Sequence, residues 1–159
     1  MPVEMKIKGL MIDPVSNMPI IVLRDAVGKT VLPIWVGIFE ANAIAMQMDQ
    51  IISPRPMTHD LLRTTIDKLD ARVDRIVITD LRENTFFATI HLARGDEAIQ
   101  IDARPSDAMA LALRAEAPIF VEDRVLTQSS SDDEEPDATE QLRRWLENVD
   151  PEELGLYEM

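Results

Sequence analysis

Two short segments of this chain place a guanidinium, a hydroxyl and a carboxylate directly before a helical pattern. The first, residues 55–60, reads RPMTHD, and the second, residues 104–107, reads RPSD. The free backbone N–H groups at the start of a helix favour anions such as phosphate. Ser, Thr and Asp are also the ordinary caps of helices. The two segments therefore predict either a shared anion site or simply two capped helix starts.

Four side chains of these segments suit phosphate binding, namely Arg55, Thr58, Arg104 and Ser106. Arginine binds phosphate through two parallel hydrogen bonds, and hydroxyls add further donors. The alternative is structural, because the same two arginines could pair with Asp60 and Asp107 instead. The sequence leaves both interpretations open.

His59 falls in the first turn of the helix that follows the first segment. Imidazole can act as a general base on water or on a ribose hydroxyl, and it can also bind a metal. Together with Asp60 and Asp107 it forms the predicted catalytic set. The alternative is that His59 is only a polar surface residue, and the other histidine, His91, is assigned no role.

Two further carboxylates are candidate ligands for a divalent cation such as Mg²⁺ or Mn²⁺. Asp80 alternates in phase with Ile76 and Ile78. We therefore expect it on their buried face, where a carboxylate needs a partner or a metal. It could instead cap the following turn. Glu40 lies near the start of the first predicted helix, where it either caps backbone N–H groups or faces the same cleft as the two segments.

The composition excludes several classes of protein. There is no cysteine and there are two histidines, which excludes disulfides, thiolate zinc sites and a cysteine nucleophile. The net charge is −13, of which residues 1–121 carry −3 and residues 122–159 carry −10. Without a basic run, simple electrostatic binding of nucleic acid is disfavoured, whereas a metal-dependent phosphoesterase is less affected. No P-loop, dinucleotide or serine-hydrolase motif occurs, and we expect no organic cofactor.

The sequence carries no sign of membrane insertion. Its first residues lack the apolar core of a signal peptide, and it has no apolar run of the roughly 18 residues that a membrane span needs. We therefore expect a cytoplasmic protein.

Alternating and helical patterns predict an α+β domain over residues 1–126, with a mixed or antiparallel sheet built from two β-meanders and three packed helices. Thr58 is the expected N-cap of the second helix, and Pro105 is the expected first residue of the third. Residues 127–137 are acidic and predict a disordered linker, and residues 138–159 predict a terminal amphipathic helix and tail. The predicted strands span residues 3–12, 18–25, 30–36, 72–81, 85–94, 97–103 and 118–121, and the predicted helices residues 39–52, 58–71 and 106–117.

Several of these stretches also resemble a known family. They are VLPIWVG at residues 31–37, RPMTHDLL at 55–62, VITDL at 77–81, DARPSDA at 102–108 and APIFV at 117–121. In this order they are similar to the bifunctional nuclease domain family of bacteria and plants, over about residues 3–126. The resemblance implies an α+β domain, associating subunits, and cleavage of DNA and RNA by some members. It supplies no catalytic residue set.

The residues and the resemblance together predict a phosphodiester hydrolase acting on DNA and RNA. In this interpretation the two arginines hold the phosphate, nearby carboxylates hold a divalent cation, and His59 activates water. One alternative is a non-enzymatic regulatory module that binds a small anionic ligand or a partner protein. Another is a structural homo-oligomer whose apolar helices form the interface.

Overall fold

The computed structural model describes residues 1–131 of the 159-residue chain. Within these residues there are seven strands and four helices. The strands are β1 (Val3–Ile12), β2 (Pro19–Asp25), β3 (Val31–Trp35), β4 (Arg72–Arg82), β5 (Thr85–Arg94), β6 (Glu97–Ala103) and β7 (Ile119–Val121). The helices are α1 (Ile38–Met48), α2 (Thr58–Lys68), α3 (Pro105–Ala115) and α4 (Asp123–Ser131).

All seven strands join one mixed sheet in the order β3-β2-β1-β7-β4-β5-β6. Strands β1 to β3 form one antiparallel meander, and β4 to β6 form the other. The short β7 lies between them, antiparallel to β1 and parallel to β4. The sequence prediction of an α+β fold with two meanders is therefore confirmed. Pro33, which cannot donate to a strand ladder, lies on the edge strand β3.

The main core lies between the sheet and the helices. Helix α3 is apolar almost all round, and it contacts α1, α2, β4 and β5. Eight of its eleven residues are buried, which explains why so few of them are polar. Because α3 is enclosed on several sides, its N-terminus is held rigidly against the starts of its two neighbours.

Several helix boundaries differ from the prediction: α2 ends at Lys68 instead of residue 71, and α3 ends at Ala115 instead of residue 117. Helix α1 ends at Met48 instead of residue 52, because Gln50 adopts a left-handed conformation with φ of 56° that cannot continue the helix. The N-cap of α2 is Met57, and Thr58 is its first helical residue. The prediction of Thr58 as the cap was therefore wrong by one position. Pro105 is the first residue of α3, as predicted.

The fourth helix was not predicted. Val125 is fully buried in the core, and it anchors α4 to the domain. The hydroxyl of Thr127 donates to the carbonyl oxygen of Asp123, so it is satisfied within the helix. Residues 127–131, predicted as the start of the linker, therefore continue α4, and the domain boundary at residue 126 falls inside a helix. The remaining linker and the predicted terminal helix lie outside the described residues.

None of the helices within residues 1–131 is both long enough and apolar enough to cross a membrane.

Candidate active site

The N-termini of three helices open onto one cleft of about 910 Å³. From the start of α1 the lining includes Phe39 and Glu40, and from the start of α2 it includes Thr58 and His59. The start of α3 contributes a further pair, Arg104 and Asp107. Each helix start directs unpaired backbone N–H groups and a partial positive charge outward. Three such ends beside one cleft favour an anion there.

The two segments of the sequence meet at this cleft through a contact between His59 and Asp107. Nε2 of His59 lies 2.9 Å from Oδ1 of Asp107, although 48 positions separate the two residues. An ionised carboxylate only accepts hydrogen bonds, so the ring donates through Nε2. In the neutral tautomer this leaves Nδ1 as the nitrogen able to accept a proton. The His59 ring is almost fully buried, which fixes its orientation.

Arg104 links this pair to α1. Its Nε donates to Oδ2 of Asp107 at 2.9 Å, and its terminal nitrogen donates to Oε1 of Glu40 at 2.5 Å. The hydrogen bonds that it donates to Asp107 and Glu40 raise the pKa of the guanidinium. The alternative of an Arg104–Asp107 ion pair is therefore confirmed. Because the Arg104 side chain remains 65% exposed, one of its N–H groups can still meet a ligand from the cleft.

Asp107 is ionised because of these neighbours. Its partial burial acts to raise the pKa of the carboxyl, but the hydrogen bonds from His59 and Arg104 outweigh burial and hold that pKa below the ordinary value. A carboxylate that stays charged can orient the His59 ring and stabilise the ring once it has taken a proton. Together with Glu40, these three residues form what we call the polar network.

Glu40 faces the cleft, which was one of its two predicted positions. Its carboxylate folds back over Gly37, where an added Cβ would lie 2.4 Å from Oε2 of Glu40. Gly37 has φ of −70° and ψ of 155°, a conformation that any residue adopts. The glycine is therefore required for the space that it leaves to Glu40, and not for its backbone angles.

We expect Gly37→Ala to change stability in a way that depends on Glu40. In the wild type, the new methyl group displaces the Glu40 carboxylate from Arg104, so the change should be neutral or destabilising. In a Glu40→Ala background the clash is absent, so Gly37→Ala should be less destabilising than in the wild type, with the lower entropy of the unfolded chain set against the poorer N-cap that alanine makes. Urea unfolding of the four proteins measures this difference. Equal effects of Gly37→Ala in both backgrounds would contradict the steric account.

Asp60 belongs to a second cluster instead of the cleft. Its Oδ2 accepts the backbone N–H of Met57 at 3.0 Å, and its Oδ1 accepts Nε of Arg114 at 2.7 Å. The N–H of Met57, together with Arg114, holds the pKa of this carboxyl below its ordinary value. Asp60 thus caps α2, and its side chain is not among those that line the cleft.

Arg114 was missed by the sequence analysis. Its side chain is 4% exposed and donates to Asp60 of α2, to the Ala43 carbonyl of α1 at 3.1 Å and to the Ala110 carbonyl of its own helix at 2.9 Å. One guanidinium therefore ties together the three helices whose N-termini form the cleft. A charged residue within the apolar helix pattern of residues 106–117 was the available signal, because a buried arginine requires partners.

The remaining phosphate-binding candidates lie outside the cleft lining, except Thr58, which is exposed within it. Ser106 is buried in the first turn of α3. Arg55 is exposed, and within residues 1–131 it makes no hydrogen bond or ion pair; Asp60 pairs with Arg114 instead. The predicted alternative of an Arg55–Asp60 pair was therefore wrong.

Asp80 lies on the opposite face of the sheet, which corrects the prediction. A bulge in β4 between Ile78 and Asp80 shifts the register, so Asp80 pairs with Phe87 while Ile78 pairs with Ala88. Ala88 is paired with the cleft residue Ala103, so Ala88 and Ile78 share the face of the sheet that carries the cleft. Phe87 precedes Ala88 on the same strand, so Phe87 and its partner Asp80 point to the other face. Asp80 bonds to Arg82 at 2.9 Å.

The divalent cation that the sequence suggested has no ready set of three protein ligands among the described residues. Within residues 1–131 no three His, Asp or Glu side chains are close enough together to hold a metal ion. Glu40 and Asp107 share the guanidinium of Arg104, and Asp80 lies on the other face of the sheet. The chemistry proposed below therefore uses only side chains of the chain itself.

Comparison with known proteins identifies the family of this domain. The family model described as the bifunctional nuclease domain matches residues 21–134. The chain belongs to the bifunctional nuclease domain family. It is also 38% identical to an uncharacterized protein of Mycobacterium tuberculosis (strain ATCC 25618 / H37Rv), over 95% of this chain and 97% of that protein.

Plant relatives of the family share the domain within longer proteins. Bifunctional nuclease 2 of Oryza sativa subsp. japonica is 31% identical over 72% of this chain and 36% of its own length. Bifunctional nuclease 1 of Arabidopsis thaliana is 30% identical over 65% of this chain and 33% of its own length. The bifunctional nuclease domain of this chain thus corresponds to about a third of each plant protein.

Proposed function

We propose that this bifunctional nuclease domain hydrolyses phosphodiester bonds of DNA and RNA, with His59 as the general base. The observation that carries the proposal is the 2.9 Å contact between His59 and Asp107 inside a cleft shared by three helix N-termini. The names of the plant relatives support the same reaction class. The relationship to these proteins alone assigns no residue to the reaction.

In the proposed reaction, a phosphate oxygen binds an N–H group of Arg104 and the helix N-termini. Nδ1 of His59 takes a proton from water while Asp107 holds the ring through Nε2. The water oxygen forms a new bond to phosphorus, the bond from phosphorus to one sugar oxygen breaks, and that oxygen takes a proton from solvent. The fixed N–H donors stabilise the negative charge that develops on the phosphate oxygens.

The direct test is cleavage of end-labelled single strands of DNA and RNA, with and without EDTA. We expect His59→Ala to lower the cleavage rate by about 100- to 10,000-fold, the range that general acid–base catalysis typically contributes. His91→Ala is the matched control, because His91 lies on β5 outside the cleft lining and should leave the rate unchanged. Absence of cleavage by the wild type, or equal rates in the two variants, would refute the proposal.

We further propose that copies of the chain associate. The loop after α1 and the outer surface of α2 expose large apolar side chains, which a single domain rarely leaves together in water. These exposed side chains are Ile51, Ile52, Leu61 and Leu69. Analytical ultracentrifugation tests this proposal, and a monomer at all concentrations would exclude it.

A further inference from the structure

Besides the polar network, the cleft has a large apolar surface. Much of its lining is apolar, and we call this part the apolar wall: Phe39, Leu62, Ile66, Ile90, Ile101 and Leu111. Three of these side chains remain open to solvent, with exposed fractions of 85% for Phe39, 41% for Ile101 and 38% for Leu62. Apolar side chains from two helices and one strand thus face water inside one cleft, directly beside charged groups.

Phe39 lies where the apolar wall meets the polar network. It precedes Glu40 in α1, so its ring is placed at the start of the helix whose next side chain binds Arg104. A ring that is 85% exposed makes almost no contribution to the core. Its accessible face is instead free to stack on a flat ligand that enters the cleft.

We infer that the apolar wall receives an unpaired nucleobase, stacked on Phe39, while the adjoining phosphate lies at Arg104. A nucleotide combines a flat apolar face with an anionic group a short distance away, which is the same combination that the cleft offers. A cleft of about 910 Å³ has room for a nucleotide. This inference rests on the proposed nuclease function and specifies its substrate as single-stranded or locally opened nucleic acid.

The reason for the preference is the geometry of the duplex. In double-stranded DNA or RNA each base is stacked between neighbours, so it must leave the stack before it can reach a wall inside a cleft. An unpaired strand has no such cost. Stacking on an aromatic ring tolerates every base and does not require a ribose hydroxyl. The same wall would therefore serve DNA and RNA alike.

The charge of the cleft also indicates that binding of a strand depends on stacking of its bases. Two carboxylates of the polar network line it, from Glu40 and Asp107, against the single guanidinium of Arg104. A site with this balance gains little from the many phosphates of a long duplex. Stacking of a nucleobase on the apolar wall then supplies binding free energy that the charges do not.

The experiment compares binding of three labelled oligonucleotides of equal length by fluorescence anisotropy. They are a single strand, the same strand in a duplex, and a strand in which central bases are replaced by abasic sites. We expect the wild type to bind the intact single strand at least about 10-fold more tightly than the abasic strand, since stacking of a base typically gives this much. Phe39→Ala should abolish the difference, and Phe39→Trp should restore it.

Val27→Ala is the matched control, because Val27 is another exposed apolar residue, in the turn between β2 and β3 and outside the cleft. It should bind like the wild type. Cleavage that continues while Phe39→Ala leaves the intact-to-abasic ratio unchanged would overturn the inference and leave the nuclease proposal standing. A Phe39→Ala protein that sediments as a smaller species would also overturn it, since the wall would then be an interface between copies. Absence of binding and cleavage in the wild type would instead reject the nuclease proposal.

Discussion

Asparagine in place of Asp107 should lower the cleavage rate constant by roughly 100- to 10,000-fold, the range seen when a general base loses its orienting carboxylate. Asp107 contacts both His59 and Arg104, so the substitution removes the acceptor that fixes the ring and the charge that stabilises it once protonated. Strand binding should not weaken, because one negative charge leaves the cleft. The predicted result is therefore a fall in kcat with KM unchanged or lower.

Asp80→Asn is the matched control for this experiment. Asp80 is a partly buried aspartate paired with an arginine, as Asp107 is, but it lies on the opposite face of the sheet. Its replacement should leave kcat within about two-fold of the wild type, because it touches no part of the cleft. A comparable loss in both variants would show that the loss at Asp107 reflects general damage to the fold.

Methionine in place of Arg114 should destabilise the domain by about 3 kcal/mol, since breaking a buried, hydrogen-bonded ion pair is among the costly single changes. The change leaves the carbonyl oxygens of Ala43 and Ala110 without their side-chain donor. It also releases Asp60, which holds the start of α2. Urea unfolding of the two proteins, with the slope compared as well as the midpoint, measures the loss.

Arg63→Met provides the matched control for the stability measurement. Arg63 is half-exposed on α2 and lies 3.7 Å from Asp67, one helical turn away. An exposed pair of this kind contributes about 0.3–0.5 kcal/mol. Similar losses at Arg114 and Arg63 would contradict the role of Arg114 as the residue that joins the three helices.

The sequence predicted most of the secondary-structure elements but only part of the site. Local patterns predicted every strand and three helices, because alternation and helical spacing are properties of neighbouring residues. A meeting of the two Arg-Pro segments, as in the contact of His59 with Asp107, was only one of the two interpretations that the sequence left open. The role of Arg114 depends on three carbonyl or carboxylate partners, as many as 71 positions away, and no local pattern encodes such a set.

The error at Asp80 has an equally physical cause. Alternation along a strand holds only while the strand is regular, and one bulge exchanges the two faces for every residue beyond it. The bulge between Ile78 and Asp80 follows from how β4 pairs with β5. The register between two paired strands cannot be predicted from the sequence of one strand alone.

The position of β7 also constrains how the protein is made. This strand comes last along the sheet-forming part of the chain, yet it is the piece that joins the two meanders. While the ribosome is still synthesising the chain, each meander can pair internally, but the two meanders join into one sheet only after residue 121 has emerged. Because β6 and α3 belong to the later half and Glu40 to the earlier half, nascent chains can complete the cleft only after residue 111 has emerged.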